Sequence, residues 1–283
     1  MTTAKLVEAV IETIGNLPEP LRTNAQTLFK EMTEVRVGLG DRETRWSPTP
    51  LRIVQAMTNT DAIEGDAKKG SIVLGATVSK TPVRVHILRV WDSRALWNAD
   101  LTNPSIVCQS PDGKTGWRFG SCKECDNGKF HDDTPPACRQ QKTFLSITED
   151  LRHIIRIDLS RTQLRIGMDL EKRLNKMSGI PFERVFELKS KKHDKNQAVY
   201  VLDPVRTDDY SSPEVSAFLD AIFALFAERR REELAMFYEK RSQYDASKRD
   251  QAPARGQAPS AADVDLQVED APRSGEALPN YEM

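Results

Sequence analysis

Cysteine and histidine are both sparse in this chain, which holds four of each among 283 residues. The cysteines all fall between positions 108 and 138, whereas a disulfide framework spreads its pairs through a short secreted chain, so the fold must stand without disulfide staples. The chain is long enough to bury a core without them. No apolar run approaches the ~20 residues that span a bilayer, and the start MTTAKLVEAVIETIG lacks the basic end and apolar core of a signal peptide. A cytoplasmic protein with no membrane partner is expected. There is no Walker loop, no G-x-G-x-x-G, no G-x-S-x-G and no H-E-x-x-H. The histidines His86, His131, His153 and His193 lie in four separate segments, and Asp100, Asp112, Asp132 and Asp133 make no recognised metal-carboxylate pattern. The chain therefore reads as non-catalytic, with an enzyme of unfamiliar type as the remaining possibility of that class.

Charge is plentiful but nearly cancels, at a formal −1 overall with 29% charged residues. The cancellation is uneven. From Asp263 to Met283 six carboxylates face one arginine, a local −5 that leaves +4 on residues 1–262. A mildly basic body with an acidic tail follows.

Hydrophobic periodicity divides the chain into four parts. Residues 1–45 read as two helices, with Leu6, Val10 and Ile14 on one stripe and Leu21, Ala25, Leu28, Met32 and Val35 on another. Pro18 and Pro20 separate them, and Gly38 and Gly40 stop the second. Residues 46–210, opening at Trp46, form a β-rich region with short runs at Leu51–Met57, Ser71–Leu74, Val83–Trp91, Ser105–Val107, Lys142–Ile147 and Arg152–Leu159. It continues with a helix at Thr162–Met177 and two further runs, Arg184–Lys189 and Ala198–Leu202, which make a hairpin with a basic tip. In Val83–Trp91 the alternation puts Val83, Val85 and Ile87 on one face and Arg84 and His86 on the other. Ser212-Pro213-Glu214 supplies an N-cap and an N1 proline for a helix over residues 211–245. Residues 246–283 are poor in large apolar groups and read as a disordered acidic tail.

The spacing C-x13-C-x2-C-x12-C is the strongest chemical signal. Cys122-Lys123-Glu124-Cys125 is a knuckle that turns two thiolates toward one point, and Cys108 and Cys138 can return to complete a tetrahedron, with His131 as an alternative ligand. A redox C-x-x-C would leave Cys108 and Cys138 unexplained. One structural Zn2+ held in a loop over residues 105–142 is the expectation, and four thiolates leave no position for an activated water.

Aromatic and basic residues interleave around this loop. Trp91, Trp117, Arg118 and Phe119, together with Arg84, His86, Arg152 and Arg156 on strands and Lys191, Lys192 and Lys195 at the hairpin tip, are the candidate nucleic-acid contacts, since open rings stack on bases while cations follow phosphates. Trp97, Lys129, Phe130, Lys142 and Phe144 belong to the same cluster.

A β-rich centre interrupted by a zinc loop, flanked by helices and ending in an acidic tail, from Leu51 to Met283, resembles the single-stranded DNA-binding proteins of T-even bacteriophages. The chain departs from that family in using four cysteines where the family uses one histidine and three cysteines, and in lacking its basic N-terminal arm. The resemblance implies an α+β fold with an OB-like β-barrel, an inserted zinc loop and flanking N- and C-terminal helices. It also implies single-stranded nucleic-acid binding in phage or plasmid replication or recombination, inside a bacterial or phage-infected cell, with replication proteins recruited through the acidic tail. The competing reading is a regulatory or structural subunit whose zinc-stabilised loop docks protein.

Overall fold

The computed structural model describes residues 3–33, 36–37, 43–44, 47–56, 58, 60–98, 105–130, 132, 134–177 and 179–250. Val35, Gly38, Gly40, Trp46, Met57, Asp100, His131, Asp133 and the tail from 251 onward lie outside them.

Two amphipathic helices, α1 (Thr3–Asn16) and α2 (Leu21–Thr33), open the chain and bury Leu6, Val10 and Ile14 of the first expected stripe and Ala25, Leu28 and Met32 of the second, with Leu21 partly buried. The strands follow: β1 (Arg36–Val37), β2 (Glu43–Thr44), β3 (Thr49–Ile53), β4 (Ile72–Leu74), β5 (Thr77–Val78), β6 (Val83–Trp97), β7 (Ile106–Ser110), β8 (Thr115–Gly116), β9 (Gly120–Ser121), β10 (Arg139–Thr148) and β11 (Ile154–Ser160). Then come α3 (Leu164–Asn175), the hairpin β12 (Arg184–Lys192) and β13 (Tyr200–Tyr210), and a 38-residue helix α4 (Pro213–Asp250). Ser212 caps α4 as expected, its Oγ accepting from the Val215 N–H at 3.4 Å. β13 runs well past Leu202, through Pro204. A proline is tolerated there because β13 is an edge strand, so the missing N–H breaks no ladder. Among the described residues no helix is long and apolar enough to cross a membrane.

Nine strands share one sheet in the order β13-β12-β6-β10-β11-β3-β4-β5, with β7 paired to the far end of β6. All neighbours are antiparallel except β11 and β3. The fold is mixed α+β with helices flanking this sheet. Its two cores lie on opposite faces, as the two-residue period of a strand requires. One holds Val83, Val85, Ile87, Phe144, Ile155, Ile157, Phe186 and Leu188 beneath Leu170 and Leu174 of α3. The other sets Leu88, Leu145, Ile147 and Ile154 against α1, α2 and the first turns of α4, where Phe218, Leu219, Ile222 and Leu225 are fully buried. The N-terminal helices thus complete a core shared with the sheet and α4.

The strand ladder does not close into a barrel among the described residues, yet the sheet curls until its ends meet. The Gln55 amide, just after β3, donates to the Tyr200 carbonyl at 2.7 Å and accepts from the Tyr200 N–H at 2.9 Å, doing for β13 what a neighbouring strand would do. Ser190 Oγ donates to the Gly70 carbonyl across the same seam. Gly70 sits at φ +87, and a Cβ there would stand 2.6 Å from the Tyr200 ring, so both backbone and space demand glycine.

Gln55→Ala removes both amide bonds and strands the Tyr200 backbone groups at a half-buried seam. A loss of about 1–3 kcal/mol in unfolding free energy is expected from urea denaturation. An unchanged midpoint would show that the sheet ends do not depend on this closure.

Candidate nucleic-acid interface and cysteine centre

The far third of β6 leaves the cores and builds a small module with β7, where Leu96 lies opposite Cys108. Beyond β7 the chain turns at Asp112, whose Oδ1 accepts from Ser110 Oγ at 3.1 Å and from the Lys114 and Thr115 N–H groups at 2.9 and 3.2 Å. Burial works against the Asp112 charge. These bonds and one from the Tyr238 hydroxyl outweigh it and hold the carboxyl below its usual range. The β8–β9 hairpin follows, and the Cys122 N–H donates back to the Lys114 carbonyl at 2.8 Å. Tight backbone turns follow: the Cys125 N–H reaches the Ser121 carbonyl, the Gly128 N–H reaches the Cys125 carbonyl, and the Cys138 N–H returns to the Asn127 carbonyl at 2.7 Å.

This chain path gathers all four cysteines, each a free thiol. A Cβ at Gly116 would stand 2.9 Å from Cys108 Sγ and 3.8 Å from Cys122 Sγ, so these two sulfurs flank one point of backbone that only glycine can occupy. The Arg118 N–H donates to Cys108 Sγ at 3.3 Å, and the Asn127 amide approaches Cys125 Sγ at 3.8 Å. Burial pushes the Cys138 thiol up to about 11; Arg94 opposes this, and Cys122, Cys108 and Cys125 each add to it. Burial raises Cys122 as well, with Ser110 and Arg94 opposing and Cys108 and Asp112 adding. The sulfurs therefore feel one another, and a cation among them would reverse the sign of these effects. Among the described residues no three His, Cys, Asp or Glu side chains already stand as a ligand group. The soft, clustered donor set with N–H···S support nevertheless fits the chemistry of a thiophilic ion.

α4 grips this module from outside. Arg230 donates to the Pro111 carbonyl and Tyr238 to the Asp112 carboxylate, while Arg241 donates to the Gly116 carbonyl at 2.9 Å and to that of Trp117. The Trp117 ring lies 5.9 Å from Phe237 and 5.8 Å from Tyr244 between centroids. Phe237, Tyr238, Arg241 and Tyr244 are not among the residues expected from sequence. Their signal is an aromatic and cationic stripe at helical spacing in the later turns of the expected helix.

The candidate nucleic-acid residues divide sharply. His86 is 1% exposed, its Nδ1–H donating to the Phe182 carbonyl at 2.9 Å, and burial lowers its pKa. It faces the helical core, so the face of β6 expected to be basic is largely covered. Trp91 is half-buried against the same core with Arg230 stacked 5.1 Å above it. Trp117 is held by α4. Arg84 is bound by Glu149, Glu187 and Asp209, Arg156 by Asp158 at 3.0 Å, Arg152 by Asp150 at 3.5 Å and Lys191 by Asp203 at 3.1 Å. Lys142 is a buried cation clasped by Asp92 and Glu171. Open to solvent are Phe119, with the Arg118 guanidinium 5.7 Å over its ring, and Lys192 and Lys195 at the hairpin tip. Trp97, Phe119 and Phe130 expose 39%, 45% and 70% of their surface, all on or beside the cysteine module. Arg139, directly after Cys138, is partly buried, and both that burial and the nearby Arg161 lower its pKa.

Comparison with protein-family models, with curated proteins and with solved structures finds no match for this chain.

Because Trp117 packs between two rings of α4, Trp117→Ala should act on stability. An expected loss of about 2–4 kcal/mol follows from truncating a large packed aromatic. Denaturation monitored by circular dichroism checks it, and a variant as stable as the parent would place the ring outside the packed cluster.

Proposed function

We propose that this protein binds single-stranded nucleic acid without catalysis, through an OB-like half-barrel and a zinc-stabilised cysteine module that presents aromatic rings. The observation that carries the reading is the set of open rings Trp97, Phe119 and Phe130 on or beside the cysteine module, with the Arg118 guanidinium over Phe119. Three large aromatics left in solvent on one small module have no packing purpose there, and each offers a face on which a base of any identity can stack. Replication or recombination, with the acidic tail recruiting partner proteins, is the setting proposed for this activity.

Cys108, Cys122, Cys125 and Cys138 would hold the zinc, which supplies cross-linking of the β7, β8–β9 and β10 ends and no reaction chemistry. The chain's own residues do the rest: Gly116 makes room for the sulfurs, Arg118 and Asn127 support them with N–H donors, and α4 fixes the module on the sheet.

Metal analysis of purified protein should find about one equivalent of zinc, and chelation in denaturant followed by refolding should yield a poorly ordered module. Absence of any thiophilic metal, with unchanged refolding, would remove the zinc.

The binding itself is tested by titrating tryptophan fluorescence with single- and double-stranded oligonucleotides across a salt series. Single strands should bind preferentially, with affinity falling steeply as salt rises because phosphate contacts release counterions. Phe119→Ala and Phe130→Ala should each weaken binding by about 1–3 kcal/mol per stacked base while leaving stability within ~0.5 kcal/mol, since both rings are exposed. No affinity for any oligonucleotide would point instead to the protein-docking subunit.

A further inference from the structure

Arg84, Lys142, Arg152, Arg156 and Lys191 are each neutralised by a carboxylate, but a group of four cations around one hollow is not. At the end of α3 a cavity of about 340 Å³ is lined by Arg173, Lys176, Met177, Arg184, Phe186 and Arg206, with no acidic residue among them. None of the four cations has a carboxylate partner among the described residues. The Arg173 guanidinium donates to the Asp169 and Pro204 carbonyls at 3.4 and 3.3 Å, which orients it without cancelling its charge. Arg184 lies 4.3 Å over the Tyr210 ring, and Tyr210 is 57% exposed.

Three elements bring these groups together. Arg173 is in the last turn of α3 and Lys176 is its C-cap residue, where the negative end of the helix dipole favours cations. That explains two of them. The other two come from the sheet, where register places Arg206 opposite Phe186 and Tyr210 opposite Arg184. The dipole has no hold on that pair, and four like charges around one hollow repel one another unless an anion enters.

We propose that this cavity is a phosphate-binding site for a nucleotide unit, taking either a phosphate of a bound strand or that of a free nucleotide. Arginine forks match phosphate oxygens in pairs, Lys176 adds a point charge, and Met177 with the buried Phe186 provides an apolar floor for the sugar or base edge. Tyr210 is a second stacking surface at the rim. The volume lies within the range of small-ligand sites. The strand form of this inference rests on the nucleic-acid reading above, whereas the free-nucleotide form does not.

The test uses the full chain and the double variant Lys176→Gln, Arg206→Gln, both exposed positions, with thermal melting to verify the fold. A charge-matched control, Lys192→Gln, Lys195→Gln, removes two exposed cations from the hairpin tip. The probes are a thymidine octamer, thymidine monophosphate and inorganic pyrophosphate, followed by titration calorimetry. The expected result is an octamer affinity reduced about 10- to 100-fold in the pocket variant, with the salt slope flatter by about two units and a smaller effect in the control. Octamer binding absent from the parent, with thymidine monophosphate or pyrophosphate bound by the parent and lost in the pocket variant, sinks the strand reading and keeps the phosphate site. Equal affinities in parent and pocket variant, equal losses in both double variants, or no binding of any probe by the parent overturns the site.

Discussion

The whole arrangement hangs on β6, a 15-residue strand that pairs with β10 and β12 along one stretch and with β10 and β7 along the next. A strand this long can belong to two structures at once. Its first half is buried on both faces, with Val83, Val85 and Ile87 turned to the α3 side and His86 and Leu88 to the helical side. An irregularity opposite Leu145 and Ser146 shifts the register, so that Arg89 reaches Phe223 of α4 at 5.5 Å just before Trp91 joins the helical core. The second half then carries Arg94, Ala95 and Leu96 out to the cysteines. Position and orientation of the module relative to the sheet follow from continuity of one backbone ladder.

α4 makes that connection rigid from the other side. Its first four turns are core, and its later turns are polar enough to read as a solvated helix, yet Arg230, Tyr238 and Arg241 bind backbone and carboxylate oxygens of the loop. The loop is too rich in turns to build an apolar core of its own. It is held by hydrogen bonds to a helix and, in the reading proposed here, by metal at its centre.

Charge is distributed with similar economy. Arg84, Lys142, Arg156 and Lys191 are used to tie strands and helices together through carboxylates, which orients them but removes them as phosphate ligands. Lys142 shows the extreme case: burial disfavours its charge, yet the hydrogen bonds it donates to Glu171 and Asp92 raise its pKa. Cations left without such partners are found at the hairpin tip and around the α3 cavity.

The sequence by itself determined the helices, the β-rich middle, the capped start of α4 and the grouping of the four cysteines. All of these rest on local rules: periodicity, turn residues and short ligand spacings act between neighbours in the chain. Of the residues expected to contact nucleic acid, Phe119, Lys192 and Lys195 stand open to solvent. Only the tertiary structure decided which rings and cations face solvent. Trp117, His86 and Arg84 look like ligand contacts until Phe237, Phe182 and Glu149 are brought beside them, at separations of 120, 96 and 65 residues in the chain. It likewise decided that the sheet ends meet through Gln55 and that Arg184 and Arg206 share a hollow with α3. Burial and charge pairing are properties of contacts between distant segments, and no local pattern encodes them.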